Sequence, residues 1–151
     1  MQPNPKHKNL NRQIHMLLDS AQEFAAALPP NARILGLDVG DTTIGLALSD
    51  HSRAIATPLE TIARTKFTKD VALLQSNIEK YKIAGLVIGW PVNMDGTQGP
   101  RAQSTRTFVS NLKKTIYLPM LFWDERFSTM AVNRMMLEAD LSRERRAQLV
   151  D

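Results

Sequence analysis

The feature that most constrains this chain is the stretch RILGLDVGDTTIGLALS, in which two apolar runs, 33–39 and 43–49, are joined by a short segment containing Gly40 and Asp41. Apolar runs with so short a Gly-Asp link predict a β-hairpin, and with it a sheet that begins antiparallel. Side chains alternate along a strand, so Ile34, Gly36 and Asp38 share one face of the first strand and Leu35, Leu37 and Val39 the other. On the partner strand Gly45 and Ala47 share a face. Small residues clustered near a carboxylate leave room for a ligand or for close helix packing.

The rest of the chain alternates helix and strand. A third strand is expected around Thr57–Ile62, confined by Pro58 to an edge or a late start. Phe67, Val71, Leu74, Ile78 and Tyr81 mark a helix, and AGLVIG (84–89) is a continuously apolar strand of the kind buried on both faces. WPVNMDGTQGP is punctuated as a loop, a helix from about Pro100 to Lys113 follows, and LPMLFW (118–123) is the last strand. Ser128 or Thr129 can cap a helix striped by Ala131, Val132, Met135, Met136 and Ala139, and Ser142 can cap a final one. The expected fold is α/β, a mixed five-stranded sheet with helices on both faces, in the order of the ribonuclease H-like fold.

Residues 1–9 are polar, hold two prolines and are expected to be disordered. Leu10, Ile14, Leu17, Leu18, Ala21, Phe24, Ala25 and Leu28 then recur at helical spacing until Pro29-Pro30, predicting an amphipathic helix docked on the domain. The division is therefore an N-terminal extension, 1–32, and a ribonuclease H-like domain, 33–151. Lys6, Lys8 and Arg12 without an acid faintly suggest a transit peptide, but serine and arginine enrichment are missing, so a cytoplasmic location is expected. No apolar run approaches the ~20 residues of a membrane span. With no cysteine, disulfides, thiolate zinc sites and cysteine nucleophiles are excluded. Lys and Arg number 19 against 15 acidic residues, a net +4 that suits a polyanionic partner.

Acids at strand ends project from a rigid frame toward an open crevice. Asp38 is one; its structural alternative is a turn residue accepting backbone hydrogen bonds. Asp124 and Glu125 follow the last strand, and because successive residues point to opposite faces only one readily aims at Asp38. Glu125 is the favoured ligand and Asp124 the alternate. Asp151 shares a helical side with Gln148, Ala147 and Glu144; on its own such a terminal acid would be a solvated surface group. Carboxylates gathered from strand ends and a helix suit Mg²⁺ or Mn²⁺. Two such ions can drive in-line phosphodiester cleavage without a histidine or serine nucleophile. His7, His15 and His51 all lie outside the acidic segments.

Three segments together, ILGLDVGDTTIGLALSD (34–50), LVIGWPVNMDG (86–96) and WDERFST (123–129), resemble the YqgF (RuvX) family, and the likeness extends through PLETIAR (58–64) and the ending SRERRAQLVD. The resemblance implies a nuclease similar in fold to Holliday-junction resolvases and associated with 5′-end maturation of pre-16S rRNA in ribosome biogenesis. It implies catalytic carboxylates at Asp38, Glu125 and Asp151, with two Mg²⁺ or Mn²⁺ ions held by these and Asp124. The first motif departs from the family pattern: GDTTIG offers Asp41, Thr42 and Thr43 where a Lys or Arg is common. The family's last helix usually continues in an Ala-rich stretch, so the helix ending at Asp151 is expected to be incomplete.

The nucleic-acid backbone, whether pre-rRNA or branched DNA, is expected on Thr42, Thr43, Asn93, Arg101, Arg126 and Thr129, which lie in loops or helix starts near strand ends. Arg126 could equally pair with a neighbouring acid. Two other readings compete. LDVGDTTIGLAL also resembles the first phosphate loop of actin-like ATPases and sugar kinases, but no second phosphate loop is visible. A catalytically silent nucleic-acid-binding module could keep the same fold.

Overall fold

In the computed structural model, residues 17, 18 and 20–125 are described. They form β1 (Leu17–Leu18), α1 (Ala21–Ala27), β2 (Arg33–Val39), β3 (Thr43–Ser49), β4 (Ala56–Ala63), α2 (Phe67–Tyr81), β5 (Ile83–Trp90), α3 (Pro100–Leu112) and β6 (Met120–Asp124). The strands make one sheet in the order β1-β6-β5-β2-β3-β4. β2, β3 and β4 pair antiparallel, whereas β1, β6, β5 and β2 run parallel. An antiparallel meander whose first strand, β2, is followed on its other side by the parallel, helix-connected strands β5 and β6 is the ribonuclease H-like arrangement.

The sheet has six strands rather than five, and the extra one corrects the N-terminal reading. Leu17 and Leu18 are not helical: they pair with Met120 and Leu121 of β6. The helix begins only after Ser20, whose hydroxyl accepts from Glu23 N at 3.1 Å. Ser-x-x-Glu is a capping signature, and it interrupts the apolar repeat that had suggested one helix from Leu10. α1 ends before Pro29, which disfavours helical geometry in the residue ahead of it. The part of the expected helix before Leu17 lies outside the described residues, as do the helices expected after Ser128 and Ser142.

Alternation along β2 divides the molecule into two layers. Leu35, Leu37 and Val39 are buried with Ile44, Leu46, Leu86, Ile88 and Met120 beneath α2 and α3, which contribute Val71, Leu74, Phe108, Val109 and Leu112. On the other face α1 lays Phe24 and Leu28 against Leu121, Ile34 and Val87. Gly85 makes that approach possible, since an added Cβ would lie 2.8 Å from both Leu28 Cδ2 and Phe24 Cζ. The register shifts between Arg33 and Ile34, and the displaced Ile34 N–H is taken up by Ser49 Oγ at 2.9 Å. Among the described residues, no helix is long and apolar enough to cross a membrane.

One buried acid has a purely structural use. Asp70, 2% exposed, accepts from Thr65 N at 3.1 Å and Thr65 Oγ1 at 3.2 Å, and so ties down the entry to α2, whose own N-cap Lys66 makes no side-chain cap. Asp70→Ala is expected to cost about 1–2 kcal/mol of stability. Urea unfolding midpoints at unchanged slope would measure it.

Candidate active site

Because β2, β5 and β6 are adjacent and parallel, their carboxyl ends, Val39, Trp90 and Asp124, lie together along one rim of the sheet. Asp38 stands there opposite Gly45, on the face away from α2 and α3. A cavity of about 470 Å³ opens beside it, floored by Gly36, Gly45, Ala47, Val87 and Gly89.

Alternation on β6 decides which of the two following acids joins Asp38. Trp123 pairs with Gly89 and lines the Asp38 cavity, while Asp124 pairs with Trp90 and borders the cavity next to Arg106 and Val109 of α3. Glu125 carries its carboxylate over Gly89. A Cβ on Gly89 would collide with Glu125 Oε1 and sit 3.3 Å from Cδ. Burial, then the negative charge of Asp38, push the Glu125 carboxyl above its ordinary value; Arg101 pulls it down and Asp124 adds a further push.

An acid whose folded value is raised holds more protons when folded than when unfolded, so its ionisation lowers stability as pH rises from the unfolded value, near 4.5, through the folded one. With chelator present, Glu125→Gln is therefore expected to melt above the wild type at neutral pH. The advantage should vanish in acid, below both values. Thermal unfolding at the two pH values, with and without Mg²⁺, checks this; Mg²⁺ should raise the wild-type midpoint more than the variant's.

Arg101, in the first turn of α3, places Nη2 3.7 Å from Asp38 Oδ1, both side chains being more than half exposed (54% and 70%). So open and long an ion pair is weak and readily exchanged for a phosphate or a cation. The β2–β3 turn is closed by Gly40 N donating to Thr43 O at 2.8 Å and leaves the Thr42 and Thr43 side chains exposed. Asn93 is exposed and bonded within its own loop, with Nδ2 donating to Thr97 Oγ1 at 3.0 Å. Arg126, Thr129 and Asp151 lie outside the described residues.

Arg64, which sequence reasoning did not single out, braces this turn. Its backbone N donates to Thr42 O at 2.9 Å, its Nη1 donates to Gly40 O at 2.7 Å, and its guanidinium lies 5.3 Å from the Phe108 ring centroid. Its position one residue past the edge strand, within PLETIAR, was the available signal.

The donor set offers oxygen alone. Among the described residues no group of three His, Asp or Glu side chains gathers closely enough to hold a metal; Asp38 and Glu125 form a pair. Two carboxylates of like charge over a floor kept open by glycines fit a hard divalent cation that retains several waters.

Known proteins resemble this chain in sequence. The RuvX family model, described as Holliday junction resolvase, matches residues 32–151. A Rhodobacter capsulatus protein named "Putative pre-16S rRNA nuclease" is 58% identical over 90% of this chain and 86% of its own length. A protein of the same name from Paramagnetospirillum magneticum is 57% identical over 85% of this chain and 83% of its own. Among solved structures, T. thermophilus RuvC in complex with a Holliday junction substrate matches 62% of this chain and 64% of its own with a TM-score of 0.46 and 13% identity.

Proposed function

The chain belongs to the RuvX family, and from that premise we propose that it is a divalent-metal-dependent endonuclease that processes the 5′ end of pre-16S rRNA at the Asp38–Glu125 pair. The observation that carries the reading is the convergence of these two carboxylates from separate strand ends onto a glycine floor. Asp38, Glu125 and, from outside the described residues, Asp151 hold Mg²⁺ or Mn²⁺, with Asp124 as the alternate ligand. A divalent ion held there would supply Lewis acidity for activating water and offsetting charge on the scissile phosphate.

The chain's own groups orient the substrate. Arg101, held only loosely by Asp38, is placed to take a phosphate oxygen, and the hydroxyls of Thr42 and Thr43 take the hydrogen-bonding part that a basic residue would otherwise play in the turn. Arg126, Thr129 and Asn93, whose amide also ties its own loop to Thr97, are further proposed backbone contacts. A substrate of this kind places the enzyme in the cytoplasm, on ribosome precursors.

The family description favours one other substrate, the four-way DNA junction. The deciding experiment is cleavage of a pre-16S 5′ leader, an unstructured RNA and a four-way junction in Mg²⁺ and in Mn²⁺. Preferred cutting of the leader is expected. Preferred cutting of the junction would replace the rRNA assignment, and no cutting of any of the three in either metal would overturn the nuclease site.

A further inference from the structure

We propose that Arg64 is a positioning residue for cleavage: it holds the turn at 40–43 at a fixed distance from Arg101, so that the hydroxyls of Thr42 and Thr43 and the Arg101 guanidinium grip one phosphate from two sides of Asp38. The proposal rests on the nuclease reading above and names what keeps the phosphate contacts of that site in place.

The part that needs holding begins after Val39. As far as that residue β2 is fixed by its ladder, with Asp38 opposite Gly45 and Val39 opposite Ile44. Past it, the turn is closed on itself by the bond from Gly40 N to Thr43 O, and the carbonyls of Gly40 and Thr42 both accept from Arg64, one from the side chain and one from the main chain. The Thr42 and Thr43 side chains are left exposed. One residue therefore sets how the two hydroxyls stand relative to the carboxylate.

Arg64 is itself held from three directions. Ala63 before it pairs with Thr43, and Thr65 after it donates from both N and Oγ1 to the buried Asp70. The third support is Phe108, 4% exposed, whose ring lies under the guanidinium at 5.3 Å and meets the Phe67 ring edge-on at 5.6 Å. Phe108 follows Arg101 on α3 by about two helical turns, which puts both on one side of that helix. The contacts close a ring: Asp38 leads through Gly40 to Arg64, Arg64 to Phe108, Phe108 along α3 to Arg101, and Arg101 back to Asp38 at 3.7 Å. Arg64 makes no ion pair among the described residues, so its grip comes from the direction of its hydrogen bonds and from the ring beneath it. A planar guanidinium donates in its plane while its face rests on an aromatic ring, a combination that an ammonium group does not offer.

A purely structural Arg64 would affect stability and leave the folded enzyme's rate alone. The test therefore measures cleavage of a pre-16S 5′ leader in Mg²⁺ below the melting midpoint of every variant, with amide exchange at Gly40 as a direct reading of the turn. Arg64→Ala is expected to lower kcat about 10–100-fold, as loss of support to a site and a misplaced contact do, and to speed exchange at Gly40 at least about tenfold. Arg64→Lys, which keeps the charge without the fork, should recover less than about threefold of the loss. In a Thr42→Ala, Thr43→Val background the groups to be positioned are gone, and Arg64→Ala should cost less than about threefold more.

If Arg64→Ala does not fold, Arg64→Lys carries the same comparisons. A folded variant that cleaves at the wild-type rate would overturn the proposal, as would unchanged exchange at Gly40 or a full, additive loss in the threonine-free background. Those results remove the positioning role alone, since the wild type still cleaves. Absence of cleavage by the wild type would remove the nuclease reading and the proposal with it.

Discussion

Asp38→Asn is expected to lower metal-dependent cleavage by at least about a thousandfold, some 4 kcal/mol of transition-state stabilisation, while leaving the fold unchanged. The two effects separate because the side chain is largely exposed and its ion pair among the described residues is the loose contact with Arg101, so its amide replacement disturbs no packing there and should move stability by less than about 0.5 kcal/mol. The amide keeps the shape but not the anionic oxygen that a hard cation requires. Single-turnover rates in saturating Mg²⁺, with a urea melt of the same preparation, measure both. A folded variant that cleaves at the wild-type rate would show that the metal is held elsewhere.

Gly89→Ala should also impair the site, less severely, although position 89 has no functional group. The backbone there is ordinary for an L-residue, since Gly96 is the glycine with positive φ among the described residues, so alanine fits the strand itself. The methyl has no room, because Glu125 Oε1 already occupies its place. Displacing that carboxylate is expected to weaken Mn²⁺ binding and cleavage about 10–100-fold, the range seen when support to a metal ligand is lost. Calorimetric Mn²⁺ titration reads the first effect independently of turnover. Glu125→Asp in the Gly89→Ala background, shorter by one methylene, should recover part of the loss. If Gly89→Ala binds Mn²⁺ as the wild type does, Glu125 is not seated over β5 in solution.

The contrast between these two positions shows what can be read from a single chain. The period of two along β2 was enough to put Asp38 on the face of Gly36, and the same period after LPMLFW separated Asp124 from Glu125. Element types from Arg33 to Asp124 were likewise legible, because long apolar runs and Gly-Asp or Gly-Pro punctuation carry the information locally. Leu17–Leu18 was not legible. Two leucines fit a helical stripe as well as a strand, and only β6, about a hundred residues later in the chain, makes them a strand. Gly89 and Arg64 escaped for a related reason: one acts through the absence of a side chain beneath Glu125, the other through main-chain carbonyls across the sheet, and neither leaves a periodic mark.

The brace provided by Arg64 bears on how freely this turn can evolve. Both of its hydrogen bonds are to backbone oxygens, of Gly40 and Thr42, so the grip does not depend on which side chains occupy 41–43. The loop beside Asp38 is in that sense a replaceable cassette on a fixed mount. Relatives can exchange a basic side chain for the hydroxyls found here without moving the carboxylate, and substrate preference can drift at these positions while the fold is spared.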